Sequence, residues 1–212
     1  KRVVTTGYPL RPEILSASRD EGIQALGLDP ARKTLLVFGG SRGSRSINTA
    51  MAQVAPALLA DGVQIVHISG QLDWETVQEQ HAALSKAQRA HCQIHAFLPD
   101  IGGAFAAADL VVSRAGAATL AEYPEMALPA ILVPYPYASG NHQYVNAKAF
   151  QDAGASRVIE EKDLTPEGLA AALTELLERT ETRREMSRRA AAFACRGAAD
   201  VIANDLLELL KG

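Results

Sequence analysis

The stretch VVSRAGAATLAE, Val111–Glu122, runs from an apolar pair through a serine, an arginine and a glycine into an alanine-rich segment. Val111 and Val112 are β-branched on successive positions, so both faces of that run call for burial, as in the interior of a parallel sheet. From Ala117 the residues are helix formers, and Thr119 and Glu122 stand three apart, on one face of a helix. A strand that passes into a helix across a glycine turn is the repeating unit of an α/β fold. The unit recurs at Thr34–Phe38, where GGSRGSRSIN follows and Ile47, Met51, Val54 and Leu58 then keep helical spacing.

Working outward, short apolar runs alternate with helical patterns along most of the chain. The predicted strands are Val3–Thr6, Thr34–Phe38, Gln64–Ile68, Gln93–Phe97, Leu110–Val112, Ala130–Val133 and Arg157–Ile159. The fold class is therefore α/β, a Rossmann-like parallel sheet with helices on both faces. The final part reads as successive helices from LTPEGL, with Thr165 as N-cap, Pro166 at the first helical position and Glu167 in the first turn. Pro124 lies inside the Glu122 helix and predicts a kink or restart near Tyr123. Ala127 follows where a left-handed residue, ordinarily glycine, would end that helix.

The composition bounds the function. With 212 residues, 48% of them hydrophobic, the chain can bury one substantial core or two small ones. A net charge of −3 argues against nucleic acid as a partner. Cys92 and Cys195 have no CxxC spacing and read as small buried hydrophobes, reduced and unreactive. No apolar run approaches the ~20 residues of a membrane span. The chain opens on KRVVTTGYPLRPEI with no initiator Met, and is expected to be part of a longer protein.

In an open parallel sheet, ligands bind beyond the carboxyl ends of the strands. Two of the loops placed there, GGSRGS and SRAGAAT, are rich in Gly and Ser and open helices. Glycine lets the backbone approach an oxygen-rich ligand, and free N–H groups at a helix start favour anions. The pattern predicts a phosphorylated ligand, although each turn alone is also what a tight strand-to-helix connection requires. Neither loop is GxGxxG or GxxxxGK[ST], so a dinucleotide fingerprint and a Walker A loop are both absent. Glu122, one to two turns into its helix, is placed to accept hydrogen bonds from a ribose diol. A surface carboxylate supporting the helix dipole is the alternative.

GGSRGSRSIN, SRAGAATLAE and LVPYPYASGNHQYVNAKAF together resemble the C-terminal, donor-binding domain of the MurG-type N-acetylglucosaminyltransferases, glycosyltransferase family 28. TTGYPLRPEI resembles the segment leading out of that family's acceptor domain. The resemblance covers essentially the whole chain and implies the C-terminal half of a two-domain GT-B fold. It implies a linker over 1–15, a UDP-sugar-binding domain over 16–196, and a C-terminal helix over 197–212 packing towards an N-terminal acceptor domain. Position by position, Arg11 and Ser41, with Gly40 and Gly43 in the same loop, match contacts to the donor diphosphate. Leu98 matches the residue whose backbone reads the uracil edge. Ser113, Gly116, Ala117, Ala118, Thr119, Leu120, Ala121 and Glu122 match the diphosphate and ribose cradle, with Glu122 on the ribose as an exposed cleft carboxylate. Gln143 matches a glutamine on the sugar hydroxyls, and His142 stands beside it. Tyr8 departs from the family's usual Asn, and no contact is inferred for it.

The implied activity is transfer of GlcNAc from UDP-GlcNAc to lipid I, giving lipid II in peptidoglycan synthesis. The enzyme would be cytoplasmic and peripheral on the inner face of the cytoplasmic membrane. UDP-GlcNAc is a substrate, no cofactor is implied, and the general base belongs to the N-terminal half, so this chain alone is expected to bind donor without transferring sugar. Alternatives are the donor-binding subunit of a split polyprenol-diphosphate GlcNAc transferase, a UDP-GlcNAc 2-epimerase, and a non-catalytic nucleotide-sugar-binding module. There is no DxD sequence to clamp a divalent cation. His91 and His95 stand four apart, a metal-ligand spacing only on a helix, whereas CQIHAFL, which holds His95, reads as a strand, where that offset spans ~13 Å. Trp74 reads as a helix-packing residue, and Arg183, Arg184, Arg188, Arg189 and Arg196 as a solvated helical face.

Overall fold

A computed structural model describes residues 3–211. In chain order the helices and strands are α1 (Pro12–Ser16), α2 (Arg19–Ala25), β1 (Thr34–Phe38), α3 (Arg45–Ala60), β2 (Gln64–Ile68), α4 (Trp74–Ala82), α5 (Lys86–Arg89) and β3 (Cys92–His95). They continue with α6 (Ile101–Ala107), β4 (Leu110–Ser113), α7 (Ala117–Glu122), β5 (Ala130–Leu132), α8 (His142–Asp152), β6 (Ser156–Val158), α9 (Pro166–Glu178), α10 (Thr180–Ala191) and α11 (Ala198–Lys211). The strands form one sheet in the order β3-β2-β1-β4-β5-β6, and every neighbouring pair is parallel.

Period-two alternation divides the strands between two cores. Leu36 and Phe38 of β1 face one cluster with Phe105 of α6, Tyr123 and Phe150 of α8. Leu35 and Val37 face the other, with Ile47, Met51 and Leu58 of α3 and Leu169, Leu173 and Leu176 of α9. Phe38 meets Phe105 edge-on at 5.5 Å, and Phe150 stacks on Phe193 at 3.9 Å, fixing the chain just after α10 to the sheet's first face. The Thr165 side chain accepts from Gly168 N with Pro166 at the start of α9, as the sequence predicts.

Several expectations are corrected. Val3–Thr6 forms no strand: Val3 and Val4 are exposed, and this segment pairs with nothing in the sheet. The third strand ends at His95, two residues before the predicted end, because Ala96 and Phe97 have run past the end of β2, where pairing stops at Ile68↔His95. β6 begins at Ser156 and ends at Val158, one residue earlier at each end than read. Cys92 is buried, and burial pushes its thiol up to about 11. Cys195, in contrast, is exposed, since it lies in the turn between α10 and α11 and not on a packed face. Within the segment read as linker, Ile14 of α1 is buried in the core beside α6.

The Glu122 helix stops where Pro124 requires. α7 ends at Glu122, and Tyr123–Met126 continues as a 3₁₀ turn. Ala127 closes that turn at φ 50°, ψ 40°, the left-handed conformation expected there. The arginines after α9 are spent locally. Arg183 donates to the carbonyls of Leu176 and Leu177, Arg184 pairs with Glu181, Arg188 and Arg189 share Glu185, and Arg196 pairs with Glu125. Trp74 opens α4 and is half-buried.

Candidate functional site

β1 and β4 lie side by side at the centre of the sheet, with Phe38 opposite Ser113. The chain leaves β1 for β2 on one side and returns through β4 and β5 on the other, so the order reverses between these two strands. Crevices at such reversals are where open α/β sheets bind ligands. Both Gly-rich turns leave from here, and they wall a cleft of about 900 Å³, a volume suited to a nucleotide-sized ligand.

The first turn is held by close backbone contact. Gly43 has φ +78°, and a Cβ on it would lie 2.1 Å from the Ser69 carbonyl oxygen in the loop after β2. Ser44 caps α3 by accepting from Ile47 N. Behind the turn runs a buried polar chain. Asn48 donates from its amide to Ser69 O at 3.0 Å and to Asp73 Oδ2 at 3.1 Å. With both amide protons given to acceptors, Asn48 Oδ1 is left to accept from His67 Nε2 at 2.9 Å, so that nitrogen carries the proton. Burial pushes His67 down to about 4, which keeps it neutral. Arg45 Nε donates to Asp73 Oδ1 at 3.1 Å, and Arg45 and Asp73 both face the cleft.

The second turn is organised by Arg114. Its side chain is nearly buried and donates to the carbonyls of Val133 and Pro134, to Ser46 Oγ and to Glu161, with its guanidinium 5.4 Å from the centre of the Tyr135 ring. Gly116 precedes α7 at φ −70° with no side-chain cap. Gln143 accepts from Tyr135 N at 3.0 Å, which turns its NH2 group away, and that group bonds nothing among the described residues.

Of the residues singled out in the sequence, Gly40, Ser41, Gly43, Gly116, Ala117, Ala118, Thr119 and Gln143 line this cleft. Ser113 and Leu120 are buried beneath it, and Ser113 Oγ has no hydrogen-bond partner among the described residues. Leu98 packs against the core and Ala121 is half-buried. His142 is exposed and donates from Nδ1 to Ser139 O at 2.7 Å. Glu122 is not an exposed carboxylate: it is 8% exposed and pairs with Arg11 at 3.3 Å. Burial raises its pKa, against the opposing pull of Arg11. Tyr8, Arg45, Asp73, Arg114 and Glu161 also line the cleft and were missed by sequence reasoning. An arginine at the end of a buried strand, directly after Ser113 of β4, was the available signal for Arg114. No group of three His, Cys, Asp or Glu side chains placed to hold a metal occurs among the described residues.

Residues 34–202 match the family model described as the glycosyltransferase family 28 C-terminal domain. A relative from Desulfitobacterium hafniense, named UDP-N-acetylglucosamine--N-acetylmuramyl-(pentapeptide) pyrophosphoryl-undecaprenol N-acetylglucosamine transferase, is 42% identical over 98% of this chain and 57% of its own length. A relative of the same name from Desulforamulus reducens is 41% identical over 88% of this chain and 51% of its own. The crystal structure of Acinetobacter baumannii MurG superposes with a TM-score of 0.72 at 29% identity, covering 95% of this chain and 57% of that one. The chain thus spans about half the length of the curated relatives it matches. Its parallel sheet, reversal-point cleft and paired Gly turns correspond to the C-terminal half of a GT-B fold, and the chain belongs to the glycosyltransferase family 28 C-terminal domain family.

Proposed function

We propose that this chain is the UDP-GlcNAc-binding half of an inverting hexosyltransferase that makes lipid II from lipid I. The acceptor's C4 oxygen forms a bond to the sugar's C1 as the bond from C1 to the diphosphate breaks. UDP departs, and the acceptor's proton passes to a base in the N-terminal half. The observation that carries this reading is the cleft at the β1/β4 reversal, walled by two Gly turns, in a chain 42% identical to a relative with that name.

The backbone of the turn after β1 and Ser41 face the diphosphate, with Arg11 approaching from the linker. The Thr119 hydroxyl faces the phosphates and Glu122 the ribose, and the free Gln143 NH2 suits a sugar hydroxyl. Arg11 and Glu122 are paired through one Glu122 oxygen at 3.3 Å, which leaves the second oxygen and further Arg11 N–H groups available to the donor. α11 carries exposed Leu206, Leu207, Leu209 and Leu210, an apolar face that suits packing against the acceptor half. We assign the complete enzyme to the inner face of the cytoplasmic membrane, held there through that half; among the described residues no helix is long and apolar enough to cross a membrane.

Calorimetry on the 212-residue chain tests the reading. UDP and UDP-GlcNAc are expected to bind at micromolar to millimolar levels, roughly the weak end for a cleft missing its second wall. Transfer to lipid I should appear only when the N-terminal half is supplied. Tight binding of NAD or ATP with none of UDP would overturn it.

A further inference from the structure

Three guanidinium groups reach the cleft, and they are built differently. Arg114 has its charge committed to Glu161 and two carbonyls. Arg42 lines the cleft with no ion pair or side-chain hydrogen bond among the described residues. Arg45 is intermediate: its side chain is 83% exposed, yet its Nε is fixed on Asp73, whose carboxylate is nearly buried. That leaves the Nη edge of Arg45 open to the cleft, with no hydrogen bond to any described residue.

The chain behind Arg45 runs inward in one direction. Arg45 Nε donates to one oxygen of Asp73, Asn48 donates to the other, and His67 donates to Asn48 from within a wholly buried strand. Both Asp73 oxygens are thereby occupied, so the carboxylate cannot rotate without breaking a bond. Three polar side chains are desolvated and satisfied in series, and the last group they reach is a solvent-facing cation. An exposed ion pair adds little to stability, so packing energy does not explain the arrangement. Arg45 also stands at the first position of α3, where the helix dipole disfavours a cation. An anion in the cleft reverses that penalty. A long side chain held by Nε has already lost much of its rotamer freedom and forfeits less when its planar fork closes on phosphate.

We propose that His67, Asn48 and Asp73 form a positioning chain that holds Arg45 over the cleft as the guanidinium that binds the donor's diphosphate and stays with it as UDP leaves. This rests on the donor-binding reading above and deepens it. Arg45 touches the ligand, whereas Asp73, Asn48 and His67 act only through it.

The test is a double-mutant cycle read with UDP and with uridine on the 212-residue chain. Arg45→Met, at an exposed position, should lower UDP affinity roughly 10- to 100-fold and leave uridine unchanged. Asp73→Asn keeps the shape but removes the charge that strengthens the hold on the guanidinium, and should lower UDP affinity about 3- to 10-fold, again without touching uridine. In the Arg45→Met background, Asp73→Asn should have no further effect on UDP, the signature of a residue acting through Arg45. If Asp73→Asn does not fold, Asn48→Ser breaks the chain one step deeper and is read in the same way. An unchanged UDP-to-uridine ratio in Arg45→Met overturns the proposal, as does full additivity of the two substitutions. ADP and adenosine separate the two readings. If wild type prefers ADP to UDP, the UDP-sugar reading falls, and the Arg45 ratio is read with the adenine pair. A wild type that binds neither diphosphate overturns both.

Discussion

The turn after β1 and the turn after β4 leave paired strands, present glycine at the same cleft and open helices, yet the two glycines answer different demands. Gly43 has φ +78°, and its α-carbon faces the Ser69 carbonyl so closely that a methyl would lie 2.1 Å from the oxygen. Gly116 has φ −70°, a conformation any residue adopts, and a methyl there meets no atom within 4 Å. The first turn is a steric lock between two loops. The second is an open lip whose emptiness is room for a ligand. One letter in the sequence thus stands for backbone geometry at one site and for vacant volume at the other.

Replacing each glycine by alanine breaks or sharpens this contrast and gives the largest effect expected. Gly43→Ala combines left-handed strain with a clash against a carbonyl, which no side-chain rotation relieves, and should destabilise by about 3–5 kcal/mol. Gly116→Ala should leave stability within about 0.5 kcal/mol while weakening UDP, because its methyl enters the cleft. Urea melts and UDP titrations of both variants check the pair. A Gly43→Ala protein with the wild-type urea midpoint would refute the lock.

Arg114 shows how the second turn is held without backbone interlock. Removing its guanidinium strands Glu161 and the carbonyls of Val133 and Pro134. Arg114→Met should therefore cost about 2–3 kcal/mol, below the range for a deeply buried pair because Glu161 keeps some contact with water. Arg114→Met with Glu161→Gln should lose less than Arg114→Met alone, since no unpaired carboxylate remains; thermal melts of the two would decide. Equal losses would mean that Glu161 contributes nothing.

The contrast also explains what was legible in advance. Thr34–Phe38 and Gln64–Ile68 were read to the residue because every position in them is apolar or pairs internally. That Gly40, Ser41, Gly116 and Thr119 line one cleft was legible from glycine and hydroxyl placement at strand ends. Strand order was not, and it is strand order that brings Phe38 beside Ser113. The side chains that stiffen the cleft were also hidden, because Asp73 is 28 residues from Arg45 and Glu161 is 47 from Arg114. Periodicity reports which face of an element is buried, and says nothing about pairs brought together by topology. The exposure of Cys195 was missed for a related reason: apolar neighbours in sequence do not bury a residue that lies in a turn.

Glu122 tests whether the second turn reads ribose. Glu122→Gln should lower UDP affinity by about 1.5–3 kcal/mol, roughly 10- to 150-fold, by losing a charge-assisted acceptor. Its folded pKa is raised by burial from the ordinary 4.5. The ionised form is therefore the one the fold disfavours: the penalty is absent below the unfolded pKa and complete above the folded one. Stability should thus fall slightly as pH rises through that window in wild type, and not in Glu122→Gln. The preference for UDP over 2′-deoxy-UDP has the opposite sign. It should be full above the raised pKa and fade as pH falls through it, and comparing the two nucleotides cancels the ionisation of their shared phosphates. A preference that does not vary with pH would remove Glu122 from the ribose.

The smallest effect lies where the second turn's helix ends. Pro124 stops α7 after Glu122, and the 3₁₀ turn that follows closes on Ala127 at φ 50°, ψ 40°. In that conformation the alanine Cβ crowds its own backbone, at a cost of about 1–2 kcal/mol that glycine does not bear. Glycine gives part of this back through the greater freedom of the unfolded chain. Ala127→Gly should therefore stabilise by roughly 0.5–1 kcal/mol. Ala127 N donates to Pro124 O and Leu128 N to Tyr123 O, and both bonds are made by the backbone, so the substitution leaves them intact. UDP affinity should stay at its wild-type value, since Ala127 does not line the cleft. The turn after β1 provides the control. Its left-handed Gly43 is already glycine, and its helix α3 closes through the same pair of backbone bonds on Gly62 at φ +81°, also already glycine, so no equivalent gain is available there. A rise in melting temperature for Ala127→Gly with unchanged UDP binding would place the second turn's strain at its far end, away from the ligand. A fall in either quantity would mean that the alanine methyl packs against something the turn needs.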